Sequence, residues 1–277
     1  MIDPFLLTLL LGFLVGIMLA ITGAGGAILS LPLLVFFAHM KMIDAAPISL
    51  MAITFAAGLG AVIGLKHGIV RYKAAGLLAS FGVLMAPLGV IIAHQLSEKI
   101  LGILFFIVLL TVAWRSIKKI QTPISVTEDG CDGDEQASPA CAVNPVTSKF
   151  FWTAHCTKLL ILTGVISGFL SGLLGVGGGF IIVPTLHSIS NLQTKSIVAT
   201  SLAVITLVST ASVLSYAGHG GLNWQIAIPF VLGSLLGMLI GKLVNHKIST
   251  KTSLIIFAIL AFAVAVGMLI KVIFSGQ

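Results

Sequence analysis

Gly164 to Pro184 reads GVISGFLSGLLGVGGGFIIVP, and Gly12 to Pro32 reads GFLVGIMLAITGAGGAILSLP. Each stretch is an apolar helical run that breaks at a glycine cluster and resumes as a second apolar run ending in a proline. The offset of 152 residues holds without a gap well beyond the motif. It sets Ser49 on Ser201, Thr54 on Thr206, His67-Gly68 on His219-Gly220, Gly89 on Gly241 and His94 on His246. The chain is an internal duplication built around two glycine breaks. Duplicated halves with interrupted apolar segments are the sequence pattern of membrane transporters.

Composition supports that reading. Hydrophobic residues make up 58% of the chain and charged residues 8%, with a mean hydropathy of +1.16. A soluble domain carries about a quarter charged residues, so this chain cannot cover a water-facing surface and its main partner is the lipid bilayer. Apolar runs such as Ala45 to Leu65 and Tyr72 to Ala93 are long enough for about 30 Å of hydrocarbon. The net charge of +7 then reads as basic cytoplasmic loops. It does not read as a nucleic-acid surface, because no basic cluster is interleaved with aromatics. The first segment lacks a basic start and belongs to the repeat, so it is not read as a cleavable signal.

Five apolar segments recur in each half. The expected organisation is a first membrane repeat over 1–119, a linker over 120–158 and a second membrane repeat over 159–277. The run after each glycine cluster, Ala27 to Ala38 and Phe180 to Ile189, covers only about half the bilayer core at 1.5 Å per residue. Each is read as a half-helix forming a broken hairpin with the segment before it. The predicted fold is therefore an all-α, polytopic membrane protein of about eight spanning helices plus these glycine-broken hairpins. The linker holds five of the eight carboxylates and too little apolar surface to order itself. It also carries Cys131 and Cys141, and with His155 and Cys156 these match no zinc-ligand spacing. No metal, cofactor or disulfide framework is expected.

Charge orients the halves. If each crosses an odd number of times, so that the repeats are inverted, all Lys and Arg except Lys41, Lys99 and Lys271 fall on one side. A parallel arrangement divides them nine against six. Positive charge stays cytoplasmic, which predicts inverted repeats, a cytoplasmic linker, and both termini outside the inner membrane.

The candidate site follows from the breaks. Gly23, Gly25 and Gly26, and Gly175, Gly177, Gly178 and Gly179, let the backbone turn and leave N–H groups uncovered. A half-helix opening there points its positive end inward, toward an anion. Hydroxyls at Ser49, Thr54, Thr200, Ser201 and Thr206 are candidate donors to the same anion. His67 and His219 end the third segments and read as interfacial or gating residues; His187 lies in the second half-helix. Gly12, Gly16, Gly164 and Gly168 read as close-packing positions. Every Asp and Glu lies at a segment end or in the linker. Intramembrane carboxylates are the usual proton and cation ligands, so the pattern fits an anionic substrate. It offers no HExxH or GxSxG, and no enzyme is expected.

At these residues the chain resembles the TauE/SafE family of sulfite exporters. GFLSGLLGVGGGFIIVP is a close match to the family's glycine motif; GIMLAITGAGGAILSLP is looser, with Ala27 where the second copy has Gly179. Ala199-Thr200-Ser201-Leu202 and His219-Gly220 before Trp224 are similar to later family features. The first half departs at Ile48, where the second has Thr200. The resemblance implies movement of a small sulfur-containing anion, such as sulfite or an organosulfonate, by a secondary transporter that is an exporter. A passive anion channel and a sulfur-transfer or scaffold protein using the linker cysteines are the alternatives. A homo-oligomer stays open.

Overall fold

The glycine breaks divide each half of the chain into the same series of helices. The structure, a computed structural model, describes residues 4–23, 25–38, 40–121, 154–190, 194–218, 223–244, 264 and 267. The first half forms α1 (Pro4–Thr22), α2 (Gly25–Phe37), α3 (Met42–Lys66), α4 (Tyr72–Gln95) and α5 (Glu98–Gln121). The second forms α6 (Ala154–Leu174), α7 (Gly179–Ile189), α8 (Thr194–Ala217) and α9 (Trp224–Val244). Among the described residues, α1, α3, α4, α6, α8 and α9 are long and apolar enough to span a membrane. At 13 and 11 residues, α2 and α7 are the short helices expected after each break. Apart from residues 264 and 267, the fifth segment of the second half lies outside the described residues. Two boundaries differ from expectation, because α5 reaches Gln121 and α6 opens at Ala154, inside the expected linker. Cys156 and Leu160 are buried in one cluster with Ala74 and Leu78 of α4. That packing fixes the first turn of α6 beyond what linker composition suggested.

The two halves are interlocked. The most extensive helix pairs are α1 with α9 and α4 with α6, so each half packs its first helix on the fourth of the other. These pairings exchange into one another under the 152-residue offset. A Cβ placed on Gly12 would lie 2.1 Å from Phe230 O, and one on Gly164 would lie 2.6 Å from Leu78 O. At Gly16 and Gly168 the obstacles are Ser234 O and Gly82 O, each at 2.1 Å. Leu78 and Gly82 are the repeat counterparts of Phe230 and Ser234. In lipid, helices associate through close van der Waals packing, which small residues allow. The four glycines named from their spacing occupy those contacts.

Helix direction follows from the same approaches. Gly233, Gly237 and Gly241 of α9 meet Leu9, Phe13 and Ile17 of α1 in ascending order, so the two helices run parallel. Gly58, Gly60 and Gly64 of α3 meet Thr206, Leu202 and Ala199 of α8 in descending order. Thus α3 and its repeat counterpart α8 cross antiparallel. Around that crossing, Leu19, Ala27, Ile53, Ala57, Leu202, Ile205 and Met238 form one buried cluster. Phe55, Leu84, Leu214 and Leu243 are exposed on the outside, where lipid is their solvent.

Replacing Gly168 with Ala is expected to destabilise the protein by about 1–3 kcal/mol, because the obstacle is backbone that cannot rotate away; Gly168→Leu is expected to abolish monodisperse protein. Gly76, with nothing within 4 Å of its Cβ position, should accept Leu. Melting and size-exclusion profiles in detergent check both.

Candidate functional site

Both breaks are buried. After α1 ends at Thr22, the chain turns at Gly23, whose φ is +75°; in the second half Gly175, Gly177 and Gly178 take φ of +68°, +72° and +66°. Such values suit residues without a Cβ. The breaks flank the α3–α8 crossing. A Cβ on Gly23 would strike Val198 of α8, and one on Gly175 would strike Ala46 of α3. Val198 and Ala46 are repeat counterparts, each seven residues, or about 10 Å of helix, from Ile205 and Ile53. A Cβ on Gly177 would meet those two isoleucines, themselves counterparts, at 3.3 and 3.1 Å. The turns therefore sit to either side of the centre, and α7 opens close to it. Helices α2 and α7 touch one another.

The two helix starts are not equivalent. Thr22 Oγ1 accepts hydrogen bonds from the amides of Gly25 at 2.9 Å and Gly26 at 3.2 Å, and donates to Met18 O at 2.6 Å. The first helix start is thus capped from within the chain, a role like that of a threonine N-cap. In the second half the equivalent position is Leu174, which has no hydroxyl. Gly178 occupies the N-cap position of α7 in the left-handed conformation, and no side chain caps the helix. The Gly175 amide continues α6 by donating to Ser171 O at 2.9 Å. Two clusters that look alike in sequence therefore differ in which amides are engaged.

The candidate hydroxyls also separate. Ser49 is fully buried; its Oγ donates to Gly175 O at 2.6 Å and lies 2.9 Å from Ser30 Oγ. It ties α3 to the glycine break of the other half. Its counterpart Ser201 turns back to Val198 O at 2.8 Å, and Thr54 and Thr206 each bond their own helix, at Leu50 O and Leu202 O, at 2.8 Å. Thr200 Oγ1 donates to Ser196 O at 2.6 Å and accepts the Arg71 amide at 3.0 Å. His67 is exposed at the end of α3, with Nδ1 2.7 Å from Ile63 O. His187 is half-buried in the last turn of α7. His219, Cys131 and Cys141 lie outside the described residues. Cys156 is disulfide-bonded, which the cysteine count did not announce.

Sequence reasoning passed over Thr22, Ser30, Tyr216 and Arg71. Tyr216 donates to Gly172 O at 3.0 Å, just ahead of the second break. Thr22 had a signal: a hydroxyl residue directly before a Gly-x-Gly-Gly turn and three residues before the next helix is a capping arrangement. Thr22→Val, which keeps the shape and removes the hydroxyl, is expected to cost about 1 kcal/mol of stability, and Thr22→Ser to restore it. Thermal unfolding in detergent checks this.

The chain matches the family described as sulfite exporter TauE/SafE over residues 8–268. It is 27% identical over 268 residues to a probable membrane transporter protein of Xylella fastidiosa, covering 96% of this chain and 95% of that one. It is 26% identical over 282 residues to the probable membrane transporter protein YunE of Bacillus subtilis, covering 98% and 99%. The probable membrane transporter protein MJ0441 of Methanocaldococcus jannaschii is 27% identical over 258 residues, covering 89% and 87%. No solved structure matches. Interlocked, glycine-packed helices around two buried breaks are thus the architecture of a transporter, and the chain belongs to the sulfite exporter TauE/SafE family.

Proposed function

We propose that the protein is a secondary transporter exporting a small sulfur-containing oxyanion, and that the uncapped start of α7 carries the site. The observation behind this reading is the contrast between Thr22 and Leu174. At one break a hydroxyl engages the exposed amides; at the other no side chain does. Uncovered amides and the helix dipole favour a negative charge. Burial strengthens that preference, because unpaired backbone groups in lipid cost several kcal/mol each. Ser49, fixed on Gly175 O, ties α3 to this break. The carboxylates of the described helices, Asp44 and Glu98, stand in first turns at helix ends, which leaves the centre free of a competing negative charge.

The antiparallel crossing of α3 and α8 supports inverted repeats, the arrangement in which one bundle rocks on the other around a central site. Close packing of both breaks fits a carrier in a closed state better than an open channel. Export suits the physics of the cargo. A cytoplasm-negative potential drives an anion outward with about 2.3 kcal/mol per charge per 100 mV. Sulfite comes from the family description; the relatives' names specify no substrate.

Leu174→Thr adds at the second break the hydroxyl that caps the first. It is expected to lower transport about ten-fold or more by occupying the amides of Gly177 and Gly178, the counterparts of Gly25 and Gly26 just before α7. Leu174→Val, which has the shape of threonine without the hydroxyl, keeps transport. Uptake and efflux of labelled sulfite, sulfate, thiosulfate, taurine and sulfoacetate in proteoliposomes read the effect. Equal transport by both variants would remove α7 as the site, and no movement of any of these anions would remove the substrate class.

Orientation has an independent check. Reporters fused at residue 135 and at residue 277 should report cytoplasm and exterior respectively. The Lys and Arg distribution favours this placement. Both reporters on one side would exclude the inverted arrangement.

A further inference from the structure

We infer that Arg71 receives the transported oxyanion at one mouth of the path, and that the repeat-equivalent position at the other mouth, Asn223, does not. This rests on the anion-transport reading above.

Arg71 lies at the N-cap position of α4, and its side chain makes no capping hydrogen bond there. Its amide is fastened to Thr200 Oγ1 of α8 at 3.0 Å, across the two halves. The preceding Val70 is buried and packs near Gly64, which also faces Ala199 of α8. The loop is therefore held on the α3–α8 pair. Within it, Arg71 Nε is buried and has no hydrogen-bond partner among the described residues. A buried donor of a charged group is costly to leave unpaired, and none of the described residues supplies its acceptor. A guanidinium presents a fork of N–H donors that matches two oxygens of one oxyanion. Thr200 stands five residues, or about 7 Å of helix, before Ile205, the level at which α7 opens. An anion on Arg71 would be within one short step of that start.

The opposite end differs. The repeat counterpart of Arg71 is Asn223, which is neutral and exposed. Its Oδ1 accepts the Gln225 amide at 3.2 Å, so it serves the first turn of α9. The same place in the fold is a helix-turn hydrogen bond in one half and an arginine whose Nε is unpaired among the described residues in the other. Arg71 gathers anions at its mouth where Asn223 does not, which gives the carrier a higher affinity on the Arg71 side. With the charge-based orientation, that side is the cytoplasm, as an exporter requires.

The test uses the full chain in proteoliposomes of known orientation, with labelled sulfite or sulfate varied on one side at a time. R71Q is expected to raise KM about ten-fold or more from the Arg71 side, with a much smaller change in the opposite KM; the transport equilibrium then requires a compensating fall in kcat from the far side. R71K keeps the charge but lacks Nε, and should fall between wild type and R71Q. N223R should lower KM from the far side. An unchanged KM in R71Q overturns the inference; accompanied by reduced stability in lipid nanodiscs, it assigns the fork to a lipid phosphate. Equal losses from both sides with a lowered melting temperature assign Arg71 to packing, and also overturn it. Sulfate-induced thermal stabilisation in detergent, present in wild type and lost in R71Q, reads the site without transport. If wild type moves no anion, the transport reading fails and the melting curves alone decide the role of Arg71.

Discussion

A backbone broken inside a membrane must find partners for its polar groups within the protein, because lipid supplies none. The structure answers that constraint twice and in two ways. At the first break Thr22 folds its hydroxyl over the amides of Gly25 and Gly26. At the second, the carbonyl of Gly175 is taken by Ser49 and that of Gly172 by Tyr216, while no side chain caps α7. Side chains serve carbonyls at the second break and amides at the first. The two copies of the duplication have diverged in how their breaks are satisfied.

Interlocking explains how the halves stay together without a hydrophobic drive between helices. The glycine faces of α1 and α6 rest on α9 and α4, so no repeat completes its packing alone. The halves also meet at the crossing of α3 and α8, whose residues include Ile53 and Ile205. Both breaks lean on that crossing from opposite ends, at Val198 and Ala46. A small displacement of either helix would alter the surroundings of both breaks, the geometry alternating access needs.

Much of this was legible in the chain itself. The duplication, the interrupted segments, the two short helices and the packing role of Gly12, Gly16, Gly164 and Gly168 all follow from apolar run lengths and glycine spacing. These are local properties, set by the length of a helix in lipid and the size of a side chain. The site was legible only as a set of residue types. Ser49 and Ser201 align in the repeat and are both buried hydroxyls, yet one crosses to the other half and the other bonds its own helix. A hydroxyl in a helix always has a carbonyl one turn back within reach, so its sequence cannot say which acceptor it takes.

By itself the sequence determined that the chain is helical, lives in lipid, and is folded twice around paired glycine breaks, because composition and periodicity leave no other way to satisfy its backbone. Tertiary structure decided the exchange of first and fourth helices between the halves, the antiparallel crossing of α3 and α8, and which buried hydroxyl reaches across from one half to the other. Those outcomes depend on contacts between residues more than a hundred positions apart, such as Ser49 with Gly175 and Arg71 with Thr200. Neither spacing nor composition carries information at that range.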